Sequence, residues 1–434
     1  MASAAAAPRD SVAVTVVGVF EEEVPIPVKQ RKWRWSCPAP WELVGEDDRR
    51  RLVHAAKVGT ALVLVSLLYI LEVVHDRLGD NAMWAIMTVV VIFELTSGGT
   101  ISKGVNRGIG TVMGGGLGFL VAYAAQEMGG KGKAVVIGVS VFVFGAAATY
   151  TRLLPRIKRR YDYGALIFIL TFSLVSVSGI RGDEILKIAS DRLSAILMGS
   201  AICVFISLFV FPMWAGDDLH KALVSKFQKL ALSFEAECAE CLRSTDGKVD
   251  DRTKSISSNC LSVLNSKSGD ESLANFARWE PWHGRFGFRY PWNKYLGIGE
   301  QLRELAVPIL SLKTCLQSKY QPSPLFSKVI VKEQCEAACS LLGGILKELG
   351  ENIQSMKQTP MRETIFPKIE SMKLVLNSQM FAYELRILVN QSDISASGEL
   401  STTSFIFNLM GILNRVEELA KKVEELGAIA RFHQ

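Results

Sequence analysis

The stretch Gly108-Ile109-Gly110-Thr111-Val112-Met113-Gly114-Gly115-Gly116-Leu117-Gly118-Phe119-Leu120-Val121-Ala122-Tyr123-Ala124-Ala125-Gln126 contains no Lys, Arg, Asp or Glu. Crossing a hydrocarbon layer of ~30 Å takes roughly 20 such residues as a helix. Glycines recur every fourth residue at Gly110, Gly114 and Gly118, with Gly115 and Gly116 between them. A dinucleotide loop would need GxGxxG, but Gly108 and Gly110 are followed by Met113 where the third glycine belongs, and no strand pattern precedes them. The spacing instead predicts a small-residue face that lets a second membrane helix approach closely.

Working outward, five further apolar runs free of Lys, Arg, Asp and Glu lie at 58–71, 82–93, 134–151, 163–180 and 193–216. The first two are short, so flanking residues such as Ala55, Ala56, Val73 and Val74 extend them or the bilayer thins locally. No proline interrupts any run before Pro212, and an unbroken helix satisfies its own backbone, which lipid cannot do. Hydrophobic residues make up 49% of the 434. Their concentration between Lys57 and Phe211, more than that fraction, argues for a membrane.

The sequence therefore predicts an all-α protein in three parts: a flexible cytosolic tail at 1–40, a six-helix transmembrane domain at 41–216, and a cytosolic helical bundle at 217–434. Prolines at 8, 25, 27, 38 and 40 mark the tail. The alanine run near the start has no basic flank before it, so a cleaved signal is not expected. Arginines cluster at Arg31, Arg34, Arg49, Arg50 and Arg51, and again at Arg152, Arg156, Arg159 and Arg160. Basic loops stay inside, which puts both termini in the cytosol.

In the second half, apolar residues recur at helical spacing over 219–242, 295–317, 327–356, 367–389 and 405–426. Over the last of these, Val416, Leu419, Val423 and Leu426 share one stripe, with Glu and Lys elsewhere. The aromatic segment Trp279-Glu280-Pro281-Trp282-His283-Gly284-Arg285-Phe286 offers rings and cations that could stack on a ligand or nucleic acid. It does not repeat as a binding module would, so a packed loop clamping helices is the preferred reading.

The chain carries 49 basic and 43 acidic residues, a net charge of +6. Much of the excess sits in loops beside apolar runs, not on a continuous basic face, so no nucleic-acid partner is expected. Cys238 and Cys241 form a CxxC and Cys335 and Cys339 a CxxxC. Both pairs fall in helical patterns without the turn residues of a zinc knuckle, so neither metal nor cofactor is expected. The five histidines are scattered, and no nucleophile elbow or phosphate loop occurs. An enzyme reading has no constellation to stand on.

The informative charges lie where charges are costly. Lys103 and Arg107 stand one helical turn apart at the entry to the glycine-rich run. Arg192 lies inside a long final helix expected to start at Asp183. An ionisable residue within a membrane usually faces a pore or a partner, and basic groups there select anions. Arg107 and Arg192 are the first candidates for an anion path, with Lys103 and Lys57 next. Snorkelling to headgroups or pairing with Asp191 or Glu94 is the alternative. A coupled carrier would need a proton relay at mid-membrane, and no Asp, Glu or His sits inside an apolar run. A membrane-anchored scaffold is the remaining alternative.

Several stretches carry a resemblance: Val44-Gly45-Glu46-Asp47-Asp48-Arg49-Arg50, Asn81-Ala82-Met83-Trp84-Ala85-Ile86-Met87-Thr88-Val89, Lys103-Gly104-Val105-Asn106-Arg107-Gly108, Tyr161-Asp162-Tyr163-Gly164, Phe211-Pro212-Met213-Trp214-Ala215-Gly216 and Trp279-Glu280-Pro281. In order and spacing the chain after Trp41 resembles the plant aluminium-activated malate transporter family of anion channels. The resemblance implies a homodimer, with membrane lipid around it and malate and other anions passing near the dimer axis. It implies that Arg107 and Arg192 are pore residues and that Phe211 and Trp214 lie in a region linked to inhibition by gamma-aminobutyrate. It also implies an outward ion-sensing site at Asp76, Asp183 and Lys187. The third position is acidic in aluminium-responsive relatives and basic here. An ammonium opposes a hard trivalent cation, so gating by voltage and anions is expected in place of aluminium. The short tail and the Tyr161-Asp162-Tyr163-Gly164 motif favour the plasma membrane over the vacuolar one.

Overall fold

The computed structural model describes residues 45–70, 82–178, 185–243, 251–287, 290–316, 329–358, 360–389 and 396–433. Gly45–Arg49, which begins the first helix, falls in a unit separate from the one that starts at Arg50. The expected tail, the loop at 72–81 and the expected helix start at Asp183 lie outside the described residues.

Among the described residues every regular element is a helix, and two isolated bridges replace any strand. The first half contains α1 (Glu46–Ile70), α2 (Ala82–Ile92), α3 (Ser97–Met128), α4 (Gly130–Leu153), α5 (Pro155–Ser178) and α6 (Ile185–Phe209). Within these, Ser97–Met128, Gly130–Leu153, Arg160–Ser178 and Ser190–Phe209 are long and apolar enough to cross a membrane, and Met83–Ile92 is a shorter apolar helix. α1 carries its apolar run up to the edge of the described residues. The six-span expectation thus stands at four full-length helices among the described residues.

The glycine face of α3 packs where expected. A Cβ on Gly110 would lie 2.5 Å from the Gly164 carbonyl oxygen, one on Gly114 2.7 Å from that of Phe168, and one on Gly118 3.1 Å from that of Phe172. Each step of four on α3 meets a step of four on α5, so the two helices run side by side in the same direction. Any larger side chain would force the backbones apart. On α4, by contrast, Val135, Val139, Phe142 and Val143 are exposed, as an apolar face surrounded by lipid would be.

One boundary differs from expectation. The last apolar run was expected to continue to Gly216, but its helix ends at Phe209. Pro212 has no N–H to give, and its ring disfavours helical backbone at the residue before it. Val210 still donates to the Ile206 carbonyl at 3.0 Å. Phe211 then turns to φ 44°, a left-handed conformation that is rare for an aromatic residue.

The second half contains α7 (Ala215–Arg243), α8 (Asp251–Leu264), α9 (Lys267–Ala277), α10 (Trp292–Leu316), α11 (Val329–Ser355), α12 (Met361–Thr364), α13 (Phe366–Val389) and α14 (Ala396–Ala430). They enclose one apolar core, which includes Phe227, Phe234, Tyr295, Leu302, Leu346, Leu413 and Leu419. Val416, Leu419, Val423 and Leu426 are all buried, as the stripe on α14 demands. Cys238, Cys335 and Cys339 are buried in this core as thiols and not as disulfides, and no cluster of metal-ligand type occurs among the described residues.

Candidate functional site

Three basic residues of α1 and α3 each make a contact outside their own helix. Lys57 on α1 is 3% exposed, and its Nζ donates to the Phe211 carbonyl at 2.7 Å. Lys103 on α3 pairs with Glu94 and lies over the Tyr163 ring, 5.9 Å from its centroid. One turn further along α3, Arg107 is 5% exposed and donates from Nη1 to the Tyr163 hydroxyl at 3.1 Å. Its Nε is buried with no hydrogen-bond partner among the described residues. Tyr163 of α5 thus brings Lys103 and Arg107 together.

Arg192 meets a different ring. It lies on α6 with its guanidinium 4.9 Å from the centroid of the Trp84 ring on α2, and its Nε is likewise buried without a partner. At helical rise, Arg107 is ~15 Å from the start of α3 and Arg192 ~10 Å from the start of α6. Both guanidiniums keep donor capacity in reserve inside apolar helices. A buried group of that kind is stabilised by whatever anion reaches it.

Asp76 and Asp183 lie outside the described residues. Lys187 falls on α6, but its side chain is outside them too. Phe211 is exposed, while Trp214 stacks on His283 with ring centroids 3.9 Å apart.

Below the basic residues is a junction that the sequence showed only as an aromatic segment. Thr96 caps α3, accepting from Gly99 N, and Ser97 N donates to the Met213 carbonyl at 2.8 Å. The Glu280 carboxylate accepts from Ala215 N at 2.5 Å and Gly216 N at 3.0 Å, capping the first turn of α7. A carboxylate at a helix N-terminus meets both the free N–H groups and the positive end of the dipole. Burial pushes the Glu280 carboxyl up, and these backbone donors pull it back. A Cβ on Gly98 would collide with the Phe276 carbonyl oxygen, so the start of α3 rests directly on the end of α9. Phe286, Trp292, Tyr290 and Tyr295 pack edge-on or tilted beneath. Tyr295 shares its hydroxyl with His220 Nδ1 at 3.0 Å and with Tyr290 at 3.2 Å. The segment is therefore the packed loop expected of it. The sequence signal for Glu280 was its place between Trp279 and Pro281, and nothing in that motif revealed that its carboxylate caps α7.

Helices of membrane length, packed through glycine and carrying guanidiniums whose Nε atoms lack a partner, are those of a multi-pass membrane protein. Comparison with known proteins gives the family. The family model described as "Aluminium activated malate transporter" matches residues 41–397, and the chain belongs to that family. It is 41% identical to aluminum-activated malate transporter 2 of Arabidopsis thaliana over 395 residues, covering 90% of this chain and 77% of that one. It is 43% identical to transporter 14 of the same plant over 320 residues, 72% of this chain and 58% of the relative, so it spans a little over half of that protein's length. With aluminum-activated malate transporter 1 of Triticum aestivum it shares 34% identity over 395 residues, 89% of this chain and 84% of that one.

Proposed function

We propose that the protein is a passive channel for malate and other anions, with Arg107 and Arg192 on the conduction path. The observation that carries this reading is that both guanidiniums lie within apolar helices with a buried Nε left unpartnered. Fixed arginines replace the water that a dianion loses, and they stay charged at any physiological pH. Lys103 and Lys57 flank the path on the side of the Phe211 break. Two copies in a homodimer would double the positive field without one tight site that would trap the ion. Both termini lie in the cytosol, and the plasma membrane is the proposed location. Phe211 and Trp214 join α6 to α7 and form the region where a small regulatory ligand would act.

The driving force is sufficient without a coupling ion. A dianion gains about 4.6 kcal/mol per 100 mV, twice the ~2.3 of a single charge. Proteoliposomes loaded with malate test this against the coupled carrier. An imposed potassium diffusion potential, negative inside, should drive malate out at equal pH on both sides. Release that follows a proton gradient and ignores the potential would favour the carrier.

Gating by voltage and anions is proposed over gating by aluminium, because Lys187 stands where an acidic residue would complete an oxygen site with Asp76 and Asp183. Micromolar aluminium at acid pH should raise the current little, and Lys187→Glu should raise that response several-fold. Strong activation of the unaltered protein would contradict the charge argument.

A further inference from the structure

A cavity of about 310 Å³ opens between α2, α3, α5 and α6, bounded by Trp84, Thr111, Gly116, Leu170, Leu174 and Arg192. Its wall is largely apolar, and Thr111, Thr171, Ser190 and Arg192 supply its polar and charged lining. Thr111 is 6% exposed, and its hydroxyl has no hydrogen-bond partner. The Arg192 Nε is also unpartnered. Serine and threonine hydroxyls in membrane helices ordinarily return to a carbonyl one turn back, and this one has no such partner. Thr111 lies one turn beyond Arg107 on the same face of α3.

We propose that this cavity binds a single-chain carboxylate amphiphile, a long-chain fatty acid drawn from the bilayer, with its carboxylate on Arg192 and Thr111 and its chain against Leu170 and Leu174. The inference rests on the reading of Arg192 as a residue that faces anions, and extends it to a different ligand. Malate passing Arg192 need not come to rest in this cavity, because as a resident it would hold its second carboxylate against apolar wall, at a desolvation cost. An acyl chain is matched by that wall, and one carboxylate is matched by the one cation. The volume is at the low end of ~300–1,000 Å³ for ligand pockets, which admits part of one chain and not the paired tails of a phospholipid. Such a ligand would neutralise Arg192 and act as a brake on conduction.

Photolabelling of the purified full-length protein with a palmitate analogue bearing a diazirine on its chain tests the site. Label should concentrate on peptides holding Thr111–Phe119 and Leu170–Val175. Excess palmitate should displace it about tenfold better than hexadecanol, which lacks the charge. Gly116 has open space at its Cβ position, so Gly116→Leu should fill the cavity without breaking α3 and remove the label. Arg192→Gln should weaken it by about tenfold. Three outcomes would overturn the proposal. One is label spread evenly over the exposed face of α4, equal in the unaltered protein and in Gly116→Leu. Another is equal displacement by acid and alcohol. The third is no label at all, as when a second copy of the chain fills the cavity. Malate flux in the same preparation keeps the two readings separate: a protein that labels here but passes no malate retains this site and loses the anion path.

Discussion

Arg107→Ala and Arg192→Ala are each expected to cut malate current by about a hundredfold, a barrier rise of about 2.7 kcal/mol, while the protein still reaches the membrane. A dianion entering the spans gives up its hydration, and the charge-assisted bonds from guanidinium are what replace it. Arg107 already spends one donor on Tyr163, so Tyr163→Phe should have a far smaller effect than loss of the arginine. Lysine at either position should retain part of the current, because the charge persists and the planar fork is lost. Surface labelling alongside whole-cell recording separates lost conduction from lost delivery. Normal current and selectivity in both alanine variants would move the path elsewhere, with Lys103 and Lys57 the next positions to examine.

The second large effect is on stability. In the second half of the chain, Asp270 on α9 receives Lys226 of α7 and, at 3.1 Å, Arg303 of α10, with the Ser266 hydroxyl 3.2 Å away. Asp270 and Lys226 are buried and Arg303 nearly so. One carboxylate thus holds two cations and ties three helices together. Burial pushes the Lys226 ammonium down, and Asp270 opposes that push. Asp270→Ala leaves two neighbouring cations without a counter-ion, and breaking a buried pair in that way costs about 3–5 kcal/mol. Urea unfolding of the purified protein, followed by the fluorescence of the buried Trp292, should show a loss of that size. Replacing Asp270, Lys226 and Arg303 together by Leu, Met and Met should recover most of it, since a well-packed apolar substitute removes the stranded charges. A loss below about 1 kcal/mol for Asp270→Ala would mean that water reaches the triad and screens it.

Much of the helical architecture was legible because its signals are local. The glycine spacing at 110, 114 and 118 announced a close helix contact, and α5 supplies it. The expected segments at 219–242, 295–317 and 367–389 fall on α7, α10 and α13 within a few residues. α8 and α9 were not foreseen. Their sequences, Asp251–Leu264 and Lys267–Ala277, are rich in serine and other residues with weak helical preference. They hold because Cys260, Val263, Ala274 and Ala277 are buried against the neighbouring helices, a gain no local pattern displays. The end of α6 was placed too late because an apolar run measures length, and only Pro212 marks where the helix must stop.

For the candidate site, the sequence named candidate charges but not what they touch. Lys103 and Arg107 could be paired from helical spacing alone. That Tyr163 holds both, that Trp84 underlies Arg192, and that Lys57 grips the Phe211 carbonyl are contacts between helices far apart in the chain. The same is true of Glu280, whose carboxylate meets backbone N–H groups of Ala215 and Gly216.

Anions are proposed to cross through this chain by way of Arg107 and Arg192. The most direct measurement is recording from purified protein in planar bilayers, with a malate gradient and a bulky impermeant cation. Currents that reverse at the malate equilibrium potential, and that vanish with Arg107→Ala, are the predicted result. No current, or current that survives Arg107→Ala and Arg192→Ala unchanged, would contradict it.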